Sequence, residues 1–108
     1  MVKLKKAICG TNQKPRLSVF RSNNHIYIQA INDEEGKTLI ACSTLNPEIQ
    51  EENKNTSTCE AAHAVGLLFG KKLLENNIQQ GIFDRNGKLY HGRIKALADG
   101  IRETGVIL

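Results

Sequence analysis

The sequence contains no tryptophan, only three phenylalanines and two tyrosines, and only two prolines. A core built from such a chain is mostly aliphatic. Cysteine is scarce as well. Cys9, Cys42 and Cys59 are odd in number and far apart. No pair has metal-ligand spacing, and three thiols cannot all pair within one chain. They read as reduced thiols of an intracellular protein. No apolar run approaches the ~20 residues of a membrane-spanning helix, so no membrane association is expected. Met1–Gly10 carries charge but no long apolar segment follows it, so neither a secretory signal nor a cleavable transit peptide is expected.

Negative charge is missing from one third of the chain. Residues 1–32 hold Lys3, Lys5, Lys6, Lys14, Arg16 and Arg21 and no acid, while the rest of the 108 residues carry nine cations against eleven acids. The net +4 is therefore concentrated at the N-terminus, as expected where one end meets a polyanion. The plainer alternative is a solvated tail. A chain of this length suits one compact domain.

Gly10, Thr11, Asn12 and Pro15 discourage regular structure, so residues 1–15 are expected to form a flexible basic arm and residues 16–108 a single α/β domain. Arg16–Arg21 alternates Leu17 and Val19 with Ser18 and Phe20. His25–Asn32 alternates Ile26, Ile28 and Ala30 with His25, Tyr27 and Gln29. This period of two predicts strands. Ser22–Asn23–Asn24 makes the turn between them. Asp33–Lys37, with Gly36, leads into a third strand over Thr38–Thr44. Asn46–Thr58 is polar, contains Pro47 and reads as a loop, with a short helical turn within it as the alternative. Ser57 and Glu60 have capping-box spacing, and a helix is expected over Thr58–Asn76. Its Gly66 and Gly70 suggest a close approach to the sheet. Gly81–Arg85 is a short strand and Asn86–Gly87 a turn. His91–Thr104 is a second helix, with Ile94, Leu97, Ala98 and Ile101 on one side. Gly105 is placed to end that helix in the left-handed conformation.

The order βββαβα predicts a small mixed sheet with two helices packed on one face. The other face then carries Arg16, Ser18, Phe20, His25, Tyr27 and Gln29, polar groups interleaved with aromatics, which suits RNA. The densest polar stretch is Asp84–Arg93. Arg85 and Arg93 can each grip a phosphate bidentately. Gly92 and the helix start favour an anion. Tyr90 and His91 can stack on a base or bond a 2′-OH. A charged surface loop is the alternative reading.

FDRNGKLYHGRIKALADGIRETG resembles the C-terminal signature of the L-eighteen family of bacterial and organellar ribosomal proteins. KPRLSVFRSNNHIYIQAIND is similar to that family's first hairpin, and AHAVGLLFGKKLLENNI fits its small-residue helix. The resemblance runs from Lys14 to the end of the sequence. It implies a ribonuclease H-like fold of the translational-component type. It also implies a structural constituent of the large ribosomal subunit that binds 5S rRNA and helps anchor it in the central protuberance. Partners implied with it are 23S-type rRNA and neighbouring large-subunit proteins. By position, Arg16, Arg21, Ser22, Asn23, Asn24, His25 and Tyr27 match the first hairpin. Ser43 and Thr44 match the end of the third strand, and Arg85, Tyr90, His91, Gly92 and Arg93 match the C-terminal motif. With Gln29, Asn86 and the basic-arm residues Lys3, Lys5, Lys6 and Lys14, these are the expected RNA contacts. The family's arm is usually longer and richer in arginine.

No cofactor, metal, small-molecule substrate or catalytic residue is expected. A nuclease needs clustered carboxylates, and Asp33, Asp84 and Asp99 are scattered. A general nucleic-acid-binding or interaction domain is the second alternative. The ten lysines, ten asparagines and eleven isoleucines have A/T-rich codons. That points to a plastid gene and a stromal ribosome, with the bacterial cytoplasm as the alternative.

Overall fold

The structure is a computed structural model, and it describes residues 10–52, 55–85 and 92–108. Three antiparallel strands come first: β1 (Arg16–Arg21), β2 (Ile26–Asn32) and β3 (Lys37–Ser43). Helices α1 (Pro47–Glu52) and α2 (Cys59–Glu75) follow, then strand β4 (Ile82–Asp84) and helix α3 (Arg93–Glu103). The sheet order is β3-β2-β1-β4, with β4 parallel to β1. The expected α/β class and mixed sheet are present, but the described residues hold three helices rather than two. The extra one is α1, in the segment read as a loop. Its Ile49 is buried in the common core, and that burial holds a turn that Pro47 starts well.

The core lies on one face of the sheet. Leu17, Val19, Ile26, Ile28 and Ala30 point into it and meet Val65, Phe69 and Leu73 from α2 and Ile94, Leu97 and Ile101 from α3. Cross-strand pairing keeps the alternation in register: Leu17 faces Ala30, and Val19 faces Ile28. Cys42 joins the core, and burial pushes its thiol pKa up. Cys42 and Cys59 are both unpaired thiols.

The cap of α2 is Thr58, not Ser57. The Thr58 hydroxyl accepts the Ala61 amide at 3.1 Å, whereas Ser57 bonds Asn55. At the other end, the Ile78 amide donates to Leu73 O and the Asn77 amide to Leu74 O, with Asn77 at φ 61°. This is a Schellman stop with asparagine in the left-handed position. Helix α3 ends at Gly105, φ 101°, as its sequence predicted.

The glycines of α2 serve a different neighbour from the expected one. A Cβ on Gly66 would lie 2.2 Å from the Leu97 carbonyl oxygen, and one on Gly100 would lie 2.4 Å from that of His63. The two helix backbones therefore touch each other. Small residues allow α2 to approach α3, not the sheet.

Residues 10–15, assigned by sequence to the arm, lie against the sheet. The Gly10 amide donates to Asp33 Oδ2 at 2.7 Å, and the Asp33 amide returns a bond to Gly10 O. Gly10 and Pro15 are buried. Lys3, Lys5 and Lys6 lie outside the described residues.

Candidate nucleic-acid interface

The topology gathers the expected site residues at one end of the sheet. Strand β1 finishes there and turns into β2 through Ser22–His25, closed by the Ser22 amide on His25 O at 2.9 Å. Strand β3 ends beside the start of β2, with Ser43 opposite Tyr27. Because β4 runs parallel to β1, it leads Arg85 towards the same end, although the ladder itself stops with Asp84 level with Ser18. Helix α3 begins there too, since Arg93 donates to Ser22 O at 2.8 Å and to Asn23 O at 3.5 Å.

The hairpin turn is thus held from two sides. Arg93 grips two of its carbonyls, and the Thr56 hydroxyl donates to Asn24 O at 2.7 Å. Thr56 was not singled out from the sequence. Its signal lies only in the fold, 32 residues from its partner. Ser22, Asn23 and Asn24 remain exposed, with their side chains on the rim. Arg93→Ala should loosen this turn. Amide exchange at Ser22 is expected to quicken about tenfold, while the global cost stays near ~1 kcal/mol because the lost bonds are on the surface. Unchanged exchange at Ser22 would show that Arg93 does not hold the turn.

His25 is oriented from inside. Its Nδ1 sits 2.9 Å from Thr44 Oγ1, and that oxygen also accepts the Ile26 amide. The Thr44 hydroxyl, fixed on one side by the Ile26 amide, thus orients the His25 ring through Nδ1. Thr44 itself is fully buried. It offers RNA no surface and acts on the site through His25. Ser43 is half-buried, and its hydroxyl accepts the Leu45 amide.

Gly92 precedes α3 at φ 56°, ψ −124°, a backbone region open only to glycine without strain. Among the described residues no side chain caps α3, and no acid lies in its first turn, so its positive end favours an anion at the hairpin edge. Arg21 is exposed at that edge and Arg85 is exposed on the way to it, with no acid paired to either among the described residues. Asn86, Tyr90 and His91 lie outside the described residues.

Two expected contacts sit elsewhere. Lys14 is exposed beside the start of β1, at the opposite end of the strand from the hairpin turn. Arg16 is engaged within the protein. Its Nε and Nη2 donate to Asp33 at 2.9 and 3.1 Å, and its Nη1 donates to Asp84 at 3.1 Å. The hydrogen bonds from Asp33 and Asp84 raise the Arg16 pKa against the opposing effect of burial. Arg16 and the Gly10 amide hold the Asp33 carboxyl below the usual carboxylate range. This ion triad ties the β2–β3 turn to β4 across β1, so the Arg16 fork is occupied before any phosphate arrives.

The open sheet face carries Tyr27 and Gln29, both half-buried, and Phe20, which is 45% exposed. The Phe20 and Tyr27 rings stack with centroids 4.8 Å apart. A cavity of about 440 Å³ opens between β3 and the end of α2 near Lys37, Ile40 and Asn76. It is remote from the cluster and gathers none of the expected site residues.

The family model described as ribosomal L18 of archaea, bacteria, mitochondria and chloroplast matches residues 1–108. The chain is 54% identical over 104 residues to large ribosomal subunit protein uL18 of Thermotoga petrophila, covering 96% of this chain and 85% of the relative. It is 52% identical over 105 residues to the protein of that name in Prochlorococcus marinus, covering 96% and 86%. It is 54% identical over 99 residues to large ribosomal subunit protein uL18c of Guillardia theta, covering 92% of each. The chain therefore belongs to the ribosomal L18 family.

Proposed function

We propose that this chain is a structural, non-catalytic constituent of the large ribosomal subunit and binds 5S rRNA. In this reading it works in a plastid ribosome, with a bacterial ribosome as the alternative, beside 23S-type rRNA and neighbouring large-subunit proteins. One observation carries the reading: the hairpin turn, the start of α3 and the exposed cation Arg21 share one end of the sheet, and β4 leads the exposed Arg85 towards it. Arginine forks, backbone N–H groups and Asn, Ser and His side chains make a surface suited to phosphate and sugar. Arg16 drops from the set of direct contacts and becomes a support, and Thr44 supports His25.

The nuclease alternative gains nothing from the fold. The described residues contain no group of three or more His, Cys, Asp or Glu that could hold a metal. The test is competition at fixed, moderate salt. 5S rRNA is expected to bind about tenfold or more tighter than duplex DNA of equal length. Log affinity should fall with log salt at a slope of about −2 or steeper, as counterions leave the phosphates met by Arg21, Arg85 and their neighbours. Equal affinity for the two nucleic acids overturns the reading.

A further inference from the structure

We propose that the open face of the sheet holds one unpaired nucleobase, stacked on the Phe20–Tyr27 ring pair and read by the Gln29 amide. This rests on the RNA-binding reading above and specifies what one part of that surface recognises.

The two rings are cross-strand partners in β1 and β2, inclined at 16°. They stand on the face turned away from the helices. Strand β4 ends at Asp84, level with Ser18, and so does not extend alongside Phe20. Next to the rings is a concavity of about 150 Å³, lined by Phe20, Tyr27, Gln29, Ala41, Ser43 and Asn46. Ala41 lies opposite Gln29 in the β2–β3 ladder and is small enough to leave room above it.

The polar groups around this hollow are suited to a base edge. The Gln29 side-chain amide is half-buried and has no hydrogen-bond partner among the described residues. It offers a donor and an acceptor together, as the edge of a base requires. Asn46 Oδ1 accepts the Ser43 amide, which leaves its NH₂ to donate. Ser43 Oγ accepts from Leu45 and keeps its proton. Among the described residues no Lys or Arg lines the hollow, which matches it poorly to a phosphate. Aromatic faces beside an unmet amide are what an unstacked base needs, whereas a base inside a duplex shows neither its faces nor its pairing edge.

The chain has no tryptophan, so Phe20→Trp installs a single reporter. At fixed salt, 5S rRNA and a short single-stranded RNA should quench its emission, and an RNA duplex of equal length should not. Phe20→Ala should weaken 5S rRNA binding roughly tenfold, in line with the loss of one base–aromatic stack. The salt slope should stay unchanged, because no phosphate contact is removed. Phe20→Leu, which keeps apolar bulk without the ring, should lose as much. Gln29→Ala should narrow the spread of affinities among the four homo-oligonucleotides.

Phe20→Ala binding that equals the parent's overturns the inference, as does equal quenching by the duplex. A fall in salt slope comparable to losing a phosphate contact does the same. If the parent chain does not bind 5S rRNA at all, the RNA-binding reading itself fails and this one falls with it.

Discussion

Gly100→Ala is expected to lower the thermal midpoint by roughly 10–20 °C. The added methyl would sit 2.4 Å from His63 O, 3.0 Å from Leu67 N and 3.1 Å from Gly66 Cα. All three are backbone atoms of α2, so no side-chain rotation relieves the clash. The helices must part, and the core between Phe69, Leu73, Leu97 and Ile101 opens with them. Overpacking costs ~1–3 kcal/mol and occasionally more, and a clash with unyielding backbone at three points belongs at the upper end, about 3–4 kcal/mol. Alanine's better helix propensity returns at most ~1 kcal/mol. A net loss of about 2–3 kcal/mol follows, and each kcal/mol moves the midpoint by roughly 4–8 °C in a domain of this size. Gly66→Ala, aimed at Leu97 O, should behave alike. Gly70→Ala should be milder, because its obstacle is the side chain of Thr104. Calorimetry checks the series. A Gly100→Ala midpoint within about 3 °C of the parent would mean that the helices do not touch as described.

Arg16→Ala is expected to cost about 2–3 kcal/mol at neutral pH, and the cost should shrink on acidification. The substitution removes three charge-assisted hydrogen bonds and leaves Asp33 and Asp84 without their shared cation. The sign of the pH effect follows from the carboxyl. Asp33 is held below the usual range in the folded chain, chiefly by Arg16 and then by the Gly10 amide. Its contribution is present above about pH 3.9, the unfolded value, and is lost as pH falls through the lower folded one. Without Arg16, Asp33 loses the chief cause of that lowering, so the variant lacks most of this pH-dependent contribution. The parent and variant stability curves should therefore converge below about pH 4. Arg16→Lys keeps the charge but not the fork and should fall between them. Denaturant unfolding at pH 7 and pH 3 decides the matter. A cost that stays constant across that range rules out the triad as its origin.

Much of the fold was legible because period-two and helical alternation are local. Leu17, Val19, Ile28 and Leu97 all point where their spacing said. What the sequence could not show is pairing at a distance. Arg16 alternates onto the open face as expected, but its acids are 17 and 68 residues away. Only the β1–β4 pairing makes it a support rather than a contact. Gly66 and Gly70 signalled a close approach without naming the partner, since both the sheet and α3 lie beside α2. Thr58 and Ser57 are equally good caps on paper, and Asn55 decides between them by engaging Ser57. Phe20 lies on the open side, where its alternation placed it.

Strand β1 also fixes an order of events. Its β2 neighbour follows after a four-residue turn, but its β4 neighbour, paired through Ile82 and Phe83, comes more than sixty residues later. The β1–β2–β3 meander can zip up as soon as it leaves the peptide tunnel. Until β4 arrives, the far side of β1 keeps an unsatisfied hydrogen-bonding edge, and until α3 arrives, Phe69 and Leu73 lack half their cover. A nascent chain stalled before residue 82 therefore exposes both a sticky strand and an oily helix. The final segment acts as a clasp: it closes the domain and, through Arg93, sets the hairpin turn in the same stroke.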